Sequence, residues 1–237
     1  QRQMCIRDRL MAGWASGNRF AIIGGIRAVA MLLSYEIPMG ISAAGVVIIA
    51  GSLSLNEVIQ SQVIPNAIFQ PLGFITFLIA STAELNRSPF DITEAESELV
   101  AGYMTDYSSM KFGLFYLGEF MATIASSAVI VTFYLSGWRG PSFLPIPGEF
   151  WFFAKWIGVI AIFIWFRATF PRLRIDQIMS LAWKGLFELS LINLLVIALT
   201  MAIWPDPTTN QLIIMTGINW VVSVSYTHLT LPTKRIV

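Results

Sequence analysis

Carboxylates are concentrated in one part of this sequence. Residues 84–106 read "ELNRSPFDITEAESELVAGYMTD", and this stretch lies between two long apolar runs. Clustered acids can take up and release protons, and they titrate as a coupled set rather than as single residues. Half of the fourteen Asp and Glu residues of the chain belong to this acid cluster, namely Glu84, Asp91, Glu94, Glu96, Glu98, Asp106 and Glu119.

The residues around the cluster predict its local structure. Pro89 disfavours helix just before it, whereas "TEAE" at residues 93–96 matches a capping box, which predicts a short helix that starts near Thr93. On such a helix Glu94 and Glu98 share a face. Two interpretations stay open: a proton-exchanging group, or a solvated loop whose acid-rich first turn is favoured by the helix dipole.

Four acids lie within or at the edges of apolar runs. A charge at the centre of a bilayer costs at least ~2.5–3.5 kcal/mol, so such residues usually face a polar cavity or a proton path. Pro38 and Gly40 follow one of them in "SYEIPMG", which favours a hydrated break in the helix. The alternative is a helix end reaching the interface, or a protonated acid bonded to a neighbouring helix. These four acids are Glu36, Glu84, Glu119 and Glu188.

Composition indicates the class of protein that surrounds these acids. Only 12% of the 237 residues are charged, against about 25% in soluble domains. Backbone polar groups must be paired within lipid, so the apolar runs predict helices of about 20 residues. We therefore predict an all-α, polytopic membrane protein with spans at about 29–51, 67–83, 112–137, 151–168 and 186–204. A further apolar piece, 211–222, is too short to assign.

Both ends of the chain differ from the rest in character. Residues 1–9 and 223–237 resemble translated adaptor sequence, and we expect them to be non-native, which leaves a transmembrane domain at 10–222. The single Cys (Cys5) and the single His (His228) lie in these ends. The remaining residues lack thiolates and imidazoles, so we expect no metal site and no Ser-His or Cys-His catalysis.

The basic residues predict the orientation. If the spans alternate, eight of the ten Lys and Arg residues between 10 and 222 lie on one side, and only Arg139 and Lys155 lie on the other. This positive-inside bias predicts a multi-pass membrane protein, surrounded by lipid, with the acidic loop on the cytoplasmic side, or on the matrix or stromal side if the chain comes from an organelle. We expect the membrane to be the inner (cytoplasmic) membrane. We find no Gly-rich phosphate loop and no basic–aromatic pattern suited to nucleic acid.

The segment at 83–120, "AELNRSPFDITEAESELVAGYMTDYSSMKFGLFYLGEF", closely resembles the signature region of a known family. The family is the H subunit of proton-pumping NADH:quinone oxidoreductase, or respiratory complex I, which is NADH dehydrogenase subunit 1 in mitochondria. The resemblance extends over about 10–204, including 69–80 and 164–195. It implies an internal fragment with about five of the eight or nine spanning helices of that family.

The resemblance also implies a function. Members of this family lie between the hydrophilic electron-transfer arm and the proton-pumping arm, help to form the quinone chamber, and couple quinone reduction to proton translocation. Quinone would be the substrate, other complex I subunits would be the partners and would carry flavin and iron–sulfur clusters, and this chain would bind no cofactor alone. The implied relay acids are Glu36, Asp91, Glu94, Glu96, Glu98, Asp106 and Glu119.

The family usually has Thr at Leu85 and Glu at Asp106. The change at Leu85 is minor. At Asp106 the negative charge is kept, but the Asp side chain is shorter than that of Glu. Five further residues are implied to line the chamber or to dock the hydrophilic arm. They are Arg87, Arg167, Arg172, Arg174 and Asp176, with Asp176 as an internal partner of the arginines. The alternative for the three arginines in "FRATFPRLRIDQ" is a positive-inside anchor.

Two other functions are compatible with acids inside membrane helices. One is the homologous membrane subunit of an energy-converting hydrogenase-type complex, and the other is a proton-coupled secondary transporter. We find no internal repeat of the kind that many transporters contain. The full "NRxPFDxxEAESELVAGYxTxY" pattern, which is present at residues 86–107, favours the quinone-linked subunit.

Overall fold

The structure is a computed structural model, and it describes residues 2–87, 89–91, 102–140, 147–204 and 209–230. All regular elements in these ranges are helical, which confirms the predicted all-α class. A 3₁₀ turn lies at Gly102–Met104, and a π turn at Ala182–Leu186 joins α8 to α9. The helices are α1 (Arg2–Ala15), α2 (Arg19–Ala50), α3 (Leu55–Ser61), α4 (Asn66–Phe69), α5 (Pro71–Glu84), α6 (Ser109–Tyr134), α7 (Gly148–Thr169), α8 (Ile175–Leu181), α9 (Phe187–Ile203) and α10 (Thr209–Thr230).

Four helical segments among the described residues are long and apolar enough to cross a membrane. Three are α2, α6 and α7, and the fourth is the continuous stretch Ile175–Ile203 that contains α8, the π turn and α9. The shortest of them, α7, has 22 residues, which corresponds to about 33 Å at the usual helical rise. The chain is therefore a polytopic membrane protein.

The predicted span at 67–83 is divided into two pieces. Gln70 separates α4 from α5 and has a non-helical backbone (φ −130°, ψ 74°). The cause is Pro71, which disfavours helical geometry in the residue before it and is itself well suited to the first helical position. The second piece, α5, has 14 residues, or about 21 Å, which is shorter than a typical hydrocarbon core.

The hydrated break predicted near Glu36 is wrong. Helix α2 continues through Pro38 to Ala50 without interruption. Proline removes one N–H donor and frees one carbonyl, and the flanking hydrogen bonds of a 32-residue helix are sufficient to keep its neighbours helical. Prolines are tolerated in this way in membrane helices.

The chain divides into two compact units. The first contains Gln1–Ile37, Ile79–Ala128 and Ile157–Leu186, and the second contains Pro38–Leu78, Val129–Trp156 and Phe187–Val237. In the second unit, Tyr134 is fully buried, its hydroxyl donates to the Ser42 carbonyl at 3.2 Å, and its ring lies 5.3 Å from the ring of Phe77. The first unit contains most of the residues implied by the family resemblance.

A close backbone contact organises the first unit. A Cβ atom on Gly24 of α2 would lie 2.8 Å from the Cα atom of Gly102, closer than real Cβ contacts allow. Gly102 has a φ of +57°, a conformation that favours glycine. The 3₁₀ turn therefore rests directly on α2, and Tyr103 within this turn is 2% exposed.

Candidate functional site

The site begins where α5 ends. Leu85 donates to the Ser81 carbonyl at 3.1 Å, and Asn86 adopts a left-handed φ of +48°. Asparagine tolerates this conformation better than most residues, so it can end a helix and turn the chain. The chain leaves the helix at this point, and residues 86, 87 and 89–91 are not helical. Below we call residues 86–91 the NRSPFD segment.

Backbone and ring contacts hold the NRSPFD segment in place. The amide of Leu173 donates to the Pro89 carbonyl at 3.2 Å, and the ring of Phe90 lies 5.3 Å from that of Tyr35 in an edge-to-face arrangement. The Tyr35 hydroxyl in turn donates to the Ile178 carbonyl at 2.9 Å. The segment is thereby attached to α2 and to the chain just before α8, and Tyr35 is the neighbour of Glu36.

An ion pair connects the same two regions. Arg172 Nη2 lies 3.0 Å from Asp91 Oδ2, and the two side chains are 43% and 28% exposed. The prediction that Asp176 is the internal partner of the arginines is wrong for Arg172. Asp176 lies in the first turn of α8, and its side chain is exposed. The packing of the NRSPFD segment instead brings Asp91, which is 81 residues away in sequence, into contact with Arg172.

A second, more buried pair lies at the opposite end of the segment. Arg87 Nε is 3.8 Å from Glu119 Oε1, with side-chain exposures of 15% and 7%. The Arg87 guanidinium also lies 4.9 Å from the centre of the Phe120 ring. Glu119 is therefore a shielded carboxylate with a cation beside it.

Glu119 also lines a cavity of about 380 Å³ in the first unit. This volume falls in the usual range for small-molecule sites, about 300–1,000 Å³. Three aromatic rings and four charged side chains contribute to its wall. The lining residues are Asp8, Arg9, Tyr103, Tyr107, Lys111, Leu114, Phe115, Gly118, Glu119 and Ala122.

The other predicted site residues that the structure describes make no hydrogen bond or ion pair with the two ion pairs described above. Glu36 is half-buried and has no hydrogen bond or ion pair to the described residues. Asp106, Arg167, Arg174 and Asp176 are exposed. Three relay acids and the predicted capping box lie outside the described residues, so the structure gives no position for Glu94, Glu96 and Glu98.

Sequence reasoning missed several residues of the site. Arg9 belongs to the amino-terminal end that we expected to be non-native, yet its guanidinium lies against the Asn86 side-chain amide and 5.8 Å from the centre of the Tyr103 ring. Tyr35 gives no signal in the sequence, because a tyrosine in an apolar run resembles any core residue. The signal that could have identified Tyr103 is Gly102, since a glycine beside an aromatic residue often marks a close backbone contact.

The described residues contain no group of three or more His, Cys, Asp or Glu side chains that could hold a metal ion. The charged groups that the described residues bring together at this site are carboxylates and cations. Two acid–cation pairs, one exposed and one shielded, lie at the two ends of a six-residue segment.

Comparison with known proteins identifies the family. Residues 6–198 match the family model described as NADH dehydrogenase. Curated relatives named as the H subunit of NADH-quinone oxidoreductase include those of Dehalococcoides mccartyi, 51% identical over 209 residues, and Geobacillus kaustophilus, 50% identical over 192 residues. These matches cover 88% and 80% of this chain, and the chain spans about 58% of the length of each relative. The chain therefore belongs to the NADH dehydrogenase subunit 1 family, which includes the bacterial H subunits of NADH-quinone oxidoreductase.

Proposed function

We propose that this chain is part of the membrane subunit that helps to form the quinone chamber of an NADH:quinone oxidoreductase and transmits quinone reduction to proton translocation. Its partners would be the other subunits of that complex, which carry the flavin and iron–sulfur clusters. The chain would contribute to the enzyme without being catalytic alone. Its substrate in the chamber would be a quinone.

The observation that carries this proposal is the placement of Glu119. Its carboxylate lies 3.8 Å from Arg87 and faces an aromatic-lined cavity in the first unit. A carboxylate held between a cation and a cavity responds to charge that appears in the cavity, because the neighbouring charge alters the balance between its protonated and ionised forms. Reduction of a quinone creates such a charge and consumes two protons.

The NRSPFD segment connects Glu119 and Arg87 to other acids of the site. Arg87 is four residues from Asp91, and Asp91 pairs with Arg172. Phe90 packs against Tyr35, which precedes Glu36 in α2. A shift of Arg87 would therefore be transmitted mechanically to the surroundings of Asp91 and of Glu36. The acids at 94, 96 and 98 continue the same loop in sequence.

The test uses the full-length protein in its assembled complex. We expect Glu36→Gln, Glu98→Gln and Glu119→Gln each to permit assembly and to lower quinone reductase activity and proton pumping together. Glutamine retains the size and hydrogen bonding of a protonated Glu but cannot exchange the proton. Glu96→Gln is the matched control for a capping role, since Gln also completes a capping box. Wild-type turnover and pumping in all three relay variants would disprove the relay.

The orientation is also part of the proposal. The basic asymmetry places Ser108 on the cytoplasmic side and Glu149, at the start of α7, on the other side. Single cysteines at these two positions, in a background without Cys5, should react with an impermeant thiol reagent from opposite sides of the membrane. Labelling of both from the same side would contradict this topology.

The exposed arginines suggest where the hydrophilic arm docks. Arg167 and Arg174 are exposed on either side of Arg172, which is paired with Asp91. Exposed cations at a helix end suit an acidic partner surface. Arg167→Gln and Arg174→Gln should weaken association with the hydrophilic arm and make that association less sensitive to added salt. Unchanged association across a salt titration would favour the simpler role of a positive-inside anchor.

A further inference from the structure

The turn after α6 presents backbone carbonyl groups in an unusual arrangement. Ser136 and Gly137 both have left-handed backbones, with φ values of +58° and +51°. Serine seldom adopts this conformation, so the turn needs other contacts to hold it. One is a hydrogen bond from Gly137 N to the Val131 carbonyl at 2.9 Å, which closes the end of the helix.

The side chain of Lys155 lies where alternate carbonyls of this turn converge. Its Nζ atom donates to the carbonyl oxygens of Leu135, Gly137 and Arg139 at 2.6, 3.1 and 2.5 Å. An ammonium group has three N–H donors and no acceptor, so three carbonyl oxygens match its hydrogen-bonding capacity. Such contacts to a charged donor are stronger than those between neutral groups.

A neighbouring cation is used in a similar way. Arg139 Nη1 donates to the carbonyls of Gln60 and Gln62 at 3.0 and 2.9 Å, which ties the turn to the end of α3. Gly148, the first residue of α7, also lies against the turn, because a Cβ atom there would be 3.1 Å from the Trp138 carbonyl oxygen. Both Lys155 and Arg139 therefore bind main-chain oxygens within the second unit.

We propose that residues 135–139 form a backbone cation site for a primary ammonium group, and that its ligand is the side chain of Lys155. Filling this site stabilises the left-handed turn and fixes the end of α6 to α7. The ammonium group acts here as a tethered monovalent cation, and the carbonyl oxygens replace the water that would otherwise solvate it. The inference does not depend on the proposed role in quinone chemistry.

The site predicts chemical rescue of a suitable variant. Lys155→Ala removes both the ammonium group and the chain that carries it, which leaves room for a small amine to reach the carbonyls. Methylammonium retains three N–H donors, whereas tetramethylammonium has the same charge and none. Lys155→Met removes the charge but keeps an apolar chain in the path, so methylammonium should not rescue it.

Limited trypsin digestion of the complete complex in detergent provides the measurement. Cleavage after Arg139 requires the turn to open locally. In Lys155→Ala and Lys155→Met we expect this cleavage to be about tenfold faster or more, since losing even one charge-assisted hydrogen bond shifts an opening equilibrium by about that factor. Cleavage after the exposed Arg19, which lies in the other unit and has no proposed role in docking, is the internal reference and should not change.

Digestion of the variants in the presence of each added amine decides the outcome. Excess methylammonium should restore slow cleavage in Lys155→Ala only, and tetramethylammonium should have no effect. If cleavage after Arg19 also accelerates, the variant has loosened generally, and selective rescue by methylammonium would still support the site. Wild-type resistance in Lys155→Ala would overturn the proposal. Failure of methylammonium to slow the cleavage, or equal rescue by both amines, would also overturn it.

Discussion

Arg87 lies between the carboxylate of Glu119 and the ring of the residue that follows it. Its Nε is 3.8 Å from Glu119 Oε1, and its guanidinium carbon is 4.9 Å from the centre of the Phe120 ring. One side chain thus combines a shielded charge pair with a cation–π contact. This arrangement depends on the planar shape of guanidinium, which lysine does not share.

Two substitutions of Arg87 should separate these contributions. Arg87→Lys keeps the charge and loses the stacked plane, which should cost about 0.5–1 kcal/mol. Arg87→Met removes the charge next to a shielded carboxylate and should cost about 1–3 kcal/mol. Thermal unfolding of the assembled complex measures both. The pair Arg87→Met/Glu119→Gln should be more stable than Arg87→Met alone, and a lower stability of this double variant would show that the two side chains do not interact.

The exposed pair of Asp91 and Arg172 should contribute little to stability. Exposed ion pairs typically give about 0.2–1 kcal/mol, because solvent screens the charges and both side chains must be ordered. A double-mutant cycle with Asp91→Asn and Arg172→Gln should therefore give a coupling free energy within that range, and added salt should reduce it. A coupling free energy of several kcal/mol would mean that the pair is shielded in the complete assembly.

The contact of Gly24 with Gly102 predicts a strong response to one methyl group. A Cβ atom on Gly24 would lie 2.8 Å from Gly102 Cα and 2.9 Å from Tyr103 N, and backbone atoms cannot rotate away. Gly24→Ala should destabilise the protein by about 1–3 kcal/mol. Gly40→Ala is the matched control on the same helix, since nothing lies within 4 Å of its added Cβ. It should be neutral, or stabilising by up to about 1 kcal/mol.

The thermal midpoints of the two alanine variants in the assembled complex provide the comparison. Tyr103 lines the cavity of the first unit, so under the proposed function Gly24→Ala should also lower the quinone reductase activity of the complex, whereas Gly40→Ala should not. Equal midpoints for the two variants would show that the 3₁₀ turn can move away from α2 at little cost.

A buried amide pair holds the interruption between α4 and α5. Asn193 Nδ2 donates to Gln70 Oε1 at 3.3 Å, and the two residues are 4% and 0% exposed. Asn193→Leu should cost about 1–3 kcal/mol, because it leaves the buried Gln70 oxygen without this donor. Adding Gln70→Met should recover part of that loss, since replacing both partners removes the unpaired group. Thermal unfolding of the two variants provides the test, and a double variant less stable than Asn193→Leu would contradict it.

The sequence by itself determined the class of the protein and the approximate positions of the four membrane spans among the described residues, but it did not predict α1, α3, α8 or α10. Apolar runs interrupted by few charges specify membrane helices, because unpaired backbone groups are too costly in lipid. The predicted span at 112–137 corresponds to α6 at Ser109–Tyr134, and 151–168 corresponds to α7 at Gly148–Thr169. The signature around the acid cluster identified the family. These features are local, and a linear pattern of residue types is sufficient to encode them.

Only the tertiary structure decided which residues meet. The sequence predicts Asp176 as the partner of Arg172, because the two residues are close in the chain. In the structure, packing of the NRSPFD segment places Asp91 Oδ2 3.0 Å from Arg172 Nη2. In the same way Lys155, which the sequence marks only as a basic residue, is held by three carbonyls of a turn. Helical periodicity fixes the face on which a residue lies, but partners distant in sequence depend on how helices cross and on where glycines such as Gly24 permit close approach. The physical reason is that packing of side chains around those crossings, and not the local pattern, selects among several oppositely charged partners.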